Sequence, residues 1–538
     1  MKIIQPGSRQ SYRKDVVILL IAFALSRVWS EFFRGIHLKQ WGLGYYWQIL
    51  DVDTLKHHLL KGLWYDHAQP PFFNLVLGLV LKISGDYSPI ALVILFKGIS
   101  LVNCFLILAI LRRVIPSVPV SGRPTLAQTI LRNSPLLIAL FYLLSPGLII
   151  FESEVLYTTF ISMILLIGAF FVVALQNAIP VGQVVSDNRD PAAGSPARPV
   201  WKYAAGIFIS VAILCLTRSM YHLLWLIAIS LCMLFAFKKT IAFRPVLICS
   251  FLSLLLVTGW YAKNYAIFGQ FSTSSWLGMN LSRTVFHFQT KDSAHISTIE
   301  SFSDLKYYHG FIDTTKRKAF AGLDDQDLLY HYKNDTAINY NNIDYIDISR
   351  QYMAACKDYI KKNPVSYLGT VFKSCITFFA PSTRYYFSEL ETKKIEYYDL
   401  IYSFNFTHFA KDIPQRKLAL TVSAIPKLCL YLCVFFLIGR DIIRRKRLPP
   451  LNLFIICTIG YVFFTSSLVE HYENMRFRFE IEPLYLILLG QALLLIEPFK
   501  TTLVPWNKRP EHHDDRPPAL VFQDRMQKPP LAEEPAKG

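Results

Sequence analysis

Apolar residues along this chain gather in blocks of about twenty, separated by short polar stretches in which lysine and arginine cluster. A block of that length crosses the roughly 30 Å hydrocarbon core of a bilayer as a helix rising about 1.5 Å per residue. The blocks predict ten spanning helices, at residues 16–33, 88–111, 135–151, 155–176, 203–216, 220–237, 245–261, 418–439, 451–469 and 483–498. The apolar piece at 71–84 is shorter and opens on Pro70-Pro71, so it is expected to lie along the outer interface rather than to span. Between residues 262 and 416 the composition turns mixed, polar and aromatic, which predicts a large segment outside the bilayer.

Charge then sets the orientation. The basic residues Lys2, Arg9, Arg13 and Lys14, Arg112, Arg113, Arg123 and Arg132, Arg189, Arg198 and Lys202, Lys238, Lys239 and Arg244, and Arg440, Arg444, Arg445, Lys446 and Arg447 all fall on one side of this register. Positive charge marks the cytoplasmic loops, so both termini are expected in the cytoplasm and segment 262–416 outside. Were 71–84 to cross, Arg112 and Arg113 would be carried outside. Four parts follow: an N-terminal membrane module, 1–261, with its first outer loop at 34–87; the outer segment, 262–416; the C-terminal helices, 417–498; and a proline- and charge-rich tail, 499–538, read as a disordered cytoplasmic tail. The stretch 185–199 reads the same way.

Composition narrows the class. Of 538 residues 53% are hydrophobic and 17% charged, short of the polar surface that a soluble domain carries, so the fold class is an all-α polytopic membrane protein. The net charge of +18 would suggest nucleic acid in a soluble chain, but here it is spent on orientation, and no nucleic-acid partner is expected. The nine cysteines include no CxxC pair and lie mostly in or beside apolar blocks, against a disulfide framework or a cysteine metal site. The first apolar block is followed by Arg27 and Trp29 instead of a small-residue cleavage site, and reads as an uncleaved helix.

Candidate chemistry collects on the outer side. The first loop carries Asp51 and Asp53, followed by His57, His58, Asp66 and His67; Glu152 and Glu154 end the third span; Arg218 sits between the fifth and sixth; HYENMRFRFEIEP places Glu473, Arg476, Arg478, Glu480 and Glu482 before the last. Each has a plainer reading: loop acids, helix-end acids, interfacial anchors. What they share is a face. A carboxylate can take a proton from an attacking hydroxyl, and arginines hold phosphate through paired, charge-assisted hydrogen bonds. Together they suit transfer of a group from a lipid-linked phosphate to a hydroxyl acceptor. A transporter or lipid flippase would use the same groups to escort a charged substrate, and an O-acyltransferase would use a histidine such as His58 or His67. Arg476 and Arg478 can meet one phosphate only if MRFRF is extended, as the prolines and acids around it suggest, with Glu473 or Glu480 orienting them.

At these residues the sequence resembles the GT-C membrane glycosyltransferases, nearest the protein O-mannosyltransferases and the lipid A aminoarabinose transferases. HAQPPFFNLVLGLVLKISG is similar to the family's H-P-P-L segment, WYAKNYAIFGQFSTSSWLGMNLS to its W-x-x-R-N-x-x-x-F-G-x-F pattern, and ENMRFRFEIEPLYLILLG to its E-x-R-F-R-x-P-I-E-P signature. Asp-Val-Asp replaces the family's Asp-Glu pair, leaving the base open between Asp51 and Asp53, and Lys263 stands where arginine is usual. The resemblance implies a GT-C-like fold of a multi-pass bacterial inner or plasma membrane protein. It also implies an inverting hexosyl- or pentosyltransferase that uses a polyprenyl- or dolichyl-phosphate sugar and a lipid, glycan or protein acceptor. Asp51, Asp53, Glu152 and Glu154 would be its catalytic acids, and Arg476, Arg478, Arg218 and Lys263 its phosphate ligands. His67, Glu473 and Asn264 would support the acceptor side. No metal ligand is assigned, and a divalent metal cofactor is left open.

Overall fold

The computed structural model describes residues 6–116, 125–179, 199–286, 295–320, 326–333, 337–446 and 448–496. The tail from 499, the stretch 185–198 and the basic residues Lys2, Arg123, Arg189, Arg198 and Arg447 lie outside the described residues. Helix dominates. Among the described residues the one sheet is a two-residue antiparallel ladder, Tyr332–Lys333 with Ala337–Ile338.

Among the described residues, seven helical stretches are long and apolar enough to cross a membrane: Tyr12–Phe33, Phe72–Val114, Leu126–Leu143, Thr158–Ala178, Phe243–Phe268, Ile413–Arg445 and Pro450–Val469. Pro199–Cys215 and Leu223–Phe237 are shorter apolar helices. Every block expected to span carries one of these or the helix Asn474–Leu493. At the centre lies Thr158–Ala178, whose uncharged and apolar sequence lets it be buried on nearly every side. It packs against Ser88–Val114, Pro199–Cys215, Pro450–Val469 and Asn474–Leu493.

Most span ends shift by a few residues, and three of the differences have a local reason that can be named. The third block is two helices, Leu126–Leu143 and Pro146–Glu152, because Ser145 accepts a hydrogen bond from Leu148 N at 3.0 Å and Pro146 starts a new helix. The seventh helix runs on to Phe268 and stops where Gly269 takes φ +65°, the left-handed residue of a helix C-terminus. The last helix begins at Asn474, nine residues before the expected start, and takes MRFRFEIE into its first turns.

That last difference corrects the extended reading of MRFRF. Pro483 sits inside the helix, and the charges around it are not turn residues. They pair along the helix itself, Arg476 with Glu473 and Arg478 with Glu482, at the i,i+3 and i,i+4 spacings that face one another. The piece at 71–84 forms its own helix, Phe72–Ser84, closed by Gly85 at φ +51°.

Segment 262–416 has a second, aromatic core built from Trp276, Phe302, Tyr308, Tyr340, Tyr345 and Tyr352, which includes Ala68 of the first loop. Trp47 of that loop stacks on Phe302 at 4.8 Å between ring centroids. The segment's helix Pro364–Phe378 packs against Pro450–Val469 and Asn474–Leu493. Thus the segment closes over the first loop and over the last helices rather than standing apart.

Candidate active site

The first loop is fixed residue by residue. Asp51 precedes the helix Val52–His57 and caps it, Oδ2 accepting from Asp53 N at 3.0 Å. The backbone leading to Asp51 is held from two directions. Asn74 accepts from Leu50 N at 3.2 Å and donates to Gln48 O at 3.2 Å and to Asp66 Oδ2 at 3.1 Å. From segment 262–416, the Lys333 ammonium donates to Tyr46 O at 3.2 Å and to Ile49 O. Asp51 is 6% exposed, and its Oδ1 has no hydrogen-bond partner. Asp53, in contrast, is 55% exposed and has His57 Nε2 at 3.8 Å. A buried carboxylate oxygen left free for a substrate hydroxyl singles out Asp51 as the candidate base. His57 and His58 are exposed on the loop's surface and join neither acid in a buried pair.

Asp66 and His67 form the floor beneath it. Burial pushes the Asp66 carboxyl up to about 6, and Gln69 N and Asn74 hold its oxygens. Burial pushes His67 down to about 3, so the imidazole is neutral; its Nδ1 lies 2.9 Å from Ser275 Oγ, and its Nε2 has no partner. Lys263 belongs to this side. It donates to Trp64 O at 2.7 Å and sits over the Trp260 ring at 4.0 Å, away from the arginines with which the sequence reading grouped it. Asn264 donates to Ser272 O at 2.7 Å, which shapes its own turn.

The acids of the third block separate. Glu152 is taken by Arg27 through Nε at 2.8 Å and Nη2 at 2.6 Å, a buried two-pronged pair that removes it from the candidate site. Changing either partner alone is expected to cost about 3–5 kcal/mol, because it strands the other charge. In thermal unfolding of detergent-solubilised protein, Glu152→Gln should therefore lose far more stability than a double Arg27→Met, Glu152→Leu variant. Equal losses would mean that the pair is not a closed unit. Glu154 faces the site. It accepts from the Tyr46 hydroxyl, and Lys39 bridges it to Glu391 at 2.7 and 2.5 Å. Burial pushes Glu154 up to about 7.

Arg476 and Arg218 come together over shared rings. Arg476 lies 5.8 Å from the Tyr157 centroid and 5.4 Å from that of Phe477, Arg218 at 5.1 and 4.0 Å. Arg218 pairs with Glu480, and burial lowers its guanidinium to about 10. Arg476 is 5% exposed and pairs with Glu473, while its Nε and Nη1 have no partner. Arg478 does not converge with them. Two residues along a helix turn about 200°, which aims it at Glu482 and at Ala380 O, 3.4 Å away. A third arginine takes its place. Arg283, on the helix Leu277–Val285, reaches Glu470 at 3.5 Å and Glu473 at 3.6 Å. Nothing in the sequence marked it beyond a single basic residue on an amphipathic turn.

The two halves of the site meet at Phe72–Asn74. Phe72 N donates to Leu216 O at 2.7 Å beside the Arg218 turn, Phe73 lies on Tyr157 at 5.5 Å, and Asn74 grips the Asp51 loop. Among the described residues no group of three or more His, Cys, Asp or Glu is placed to hold a metal ion.

No protein-family model matches the chain, and no curated protein matches its sequence. Solved structures with similar backbones include the oligosaccharyltransferase AglB from Archaeoglobus fulgidus in complex with an inhibitory peptide and a dolichol-phosphate, at TM-score 0.39 and 12% identity over 88% of this chain and 50% of that one. A second structure of the Archaeoglobus fulgidus oligosaccharyltransferase, tethered with an acceptor peptide, gives TM-score 0.40 and 12% identity over 88% of this chain and 49% of that one. ArnT from Cupriavidus metallidurans bound to undecaprenyl phosphate gives 0.33 and 11% over 91% and 79%. The chain spans about half the length of the archaeal oligosaccharyltransferases.

Proposed function

We propose that this chain is a membrane glycosyltransferase that moves a sugar from a polyprenyl- or dolichyl-phosphate donor to a hydroxyl acceptor on the extracytoplasmic side, with inversion. One observation carries the reading. A buried arginine with two unused N–H groups, Arg476, lies beside Arg218, and the loop that packs against this cluster presents Asp51 with an unused carboxylate oxygen. Buried donors and acceptors left unpaired are costly, and a phosphate and a hydroxyl are the partners that would satisfy them.

In the reaction Asp51 Oδ1 accepts the acceptor's hydroxyl proton as that oxygen attacks the anomeric carbon. The bond from the anomeric carbon to the phosphate oxygen breaks, and its electron pair leaves on the lipid phosphate, where Arg476 and Arg218 offset the added charge. A single displacement inverts the anomeric centre. Asp51 then returns its proton to solvent. His67, neutral and buried, offers Nε2 on the acceptor side, and Glu154 with Tyr46 braces the loop against Arg476. The clustering of lysine and arginine in the loops on the opposite side supports a topology with this face outside and both termini in the cytoplasm.

The test uses proteoliposomes of the purified full chain with sugar-labelled undecaprenyl-phosphate donors of hexose and pentose type, and membrane extract as acceptor. Label should move from lipid phosphate into a new glycoside of opposite anomeric configuration. Donor that crosses the bilayer with its sugar–phosphate bond intact would make the protein a flippase and overturn the reading.

A further inference from the structure

Glu473 has an unusual shell for a carboxylate in a site read as a phosphate seat. Arg476 Nη2 pairs with its Oε2, while Arg283 Nη1 at 3.6 Å and the Tyr386 hydroxyl at 3.3 Å approach Oε1. These three groups come from three separate parts of the chain, all converging on one buried anion. Burial alone would raise the Glu473 carboxyl, but Arg476, Arg283 and Arg218 outweigh it and hold it below its usual value. Two guanidinium groups and a tyrosine hydroxyl around one anion are donors of the kind that would hold a lipid phosphate.

Two details distinguish this arrangement from simple neutralisation of Arg476. The pairing leaves Arg476 Nε and Nη1 without partners, so the carboxylate fills only part of the space that the guanidinium serves. In addition, Arg283 has Glu470 at 3.5 Å, a second carboxylate that keeps it paired if Glu473 withdraws.

We propose that Glu473 is an internal stand-in for the donor's phosphate: it occupies Arg476 and Arg283 in the empty enzyme, yields them to the incoming lipid phosphate, and by returning helps expel the product. Arg283 is then the third arginine of the phosphate seat. The inference rests on the glycosyltransferase reading. It also answers a difficulty in that reaction. The donor is a phosphodiester with one negative charge, whereas the product is a phosphomonoester that carries up to two near neutral pH. A seat of arginines alone would hold product more tightly than donor, and turnover would stall on release.

The experiment measures undecaprenyl phosphate binding and steady-state transfer by purified full-length protein in detergent. Glu473→Gln should tighten undecaprenyl phosphate binding about tenfold or more, since a charge several Å from the phosphate is removed in a poorly screened site. It should lower kcat and donor KM together and sharpen inhibition by added undecaprenyl phosphate. Arg283→Gln should weaken binding about tenfold. Glu482→Gln is the control, because it removes the same charge from the same helix while its partner, Arg478, lies outside the seat and Arg476, Arg283 and Arg218 stay paired; it should tighten binding far less. Glu473→Asp, which keeps the charge and shortens its reach, should tighten binding by less than Gln and serves if the Gln variant does not accumulate. Unchanged or weaker binding in the Glu473 variants, or equal tightening by Glu482→Gln, overturns the stand-in role. A wild-type protein that binds no undecaprenyl phosphate would instead overturn the glycosyltransferase reading beneath it.

Discussion

Asp51→Asn is expected to lower sugar transfer by about 10²–10⁴-fold while leaving the amount of folded protein and the affinity for undecaprenyl phosphate near wild type. The size follows from the loss of a general base; the selectivity follows from the structure. Asp51 does two jobs with two oxygens. Oδ2 caps the helix Val52–His57 by accepting from Asp53 N, and asparagine caps about as well as aspartate. Oδ1 has no partner and would meet the acceptor hydroxyl. Asparagine therefore keeps the cap and loses the base. Asp53→Asn, at a side chain 55% exposed, should transfer sugar at close to the wild-type rate. Radiolabelled product per turnover, with binding measured on the same preparations, separates the outcomes. Full activity in Asp51→Asn would remove Asp51 from the mechanism, and activity lost only in Asp53→Asn would move the base two residues along, into the exposed helix.

The sequence disclosed the membrane class and the helices because each is a local property, and it offered two first-loop acids, Asp51 and Asp53, without choosing between them. Twenty apolar residues form a helix in lipid wherever they sit, and a carboxylate beside a helix start is visible from the run of residues alone. Pairing is not local. Glu152 and Glu154 are indistinguishable by composition, yet one closes on Arg27, more than a hundred residues earlier, and the other on Lys39 and Tyr46. The misplaced start of the last helix has the same origin. Pro483 and the acids near it look like turn residues in isolation, and only the packed structure shows MRFRFEIE buried between neighbouring helices with its charges paired. Arg283, Lys39 and Lys333 each act at a distance, and nothing adjacent in sequence hints at a role. The boundary expected at residue 262 failed because the helix above it continues until Gly269 supplies the left-handed turn that ends it.

Arg476→Lys should raise the donor KM by roughly ten- to a hundredfold, with a smaller effect on the acceptor KM, whereas Arg478→Lys should change the donor KM by less than about threefold. A charged hydrogen bond contributes about 1.5–3 kcal/mol, and lysine cannot present the paired N–H groups that Arg476 keeps free at Nε and Nη1. Lysine would still reach Glu473, so the fold and the local charge survive. Arg478 lies about 200° round the helix, paired with Glu482 and beside Ala380 O; lysine there weakens that packing and lowers Tm without touching the phosphate seat. The contrast tests the helix as well as the chemistry. If MRFRF were extended, both arginines would reach one phosphate and both substitutions would raise the donor KM alike. A comparable rise in two folded variants would therefore sink the placement of Arg478 outside the site. A donor KM unmoved by Arg476→Lys would reduce Arg476 to a buried partner of Glu473, leaving Arg218 and Arg283 to hold the phosphate.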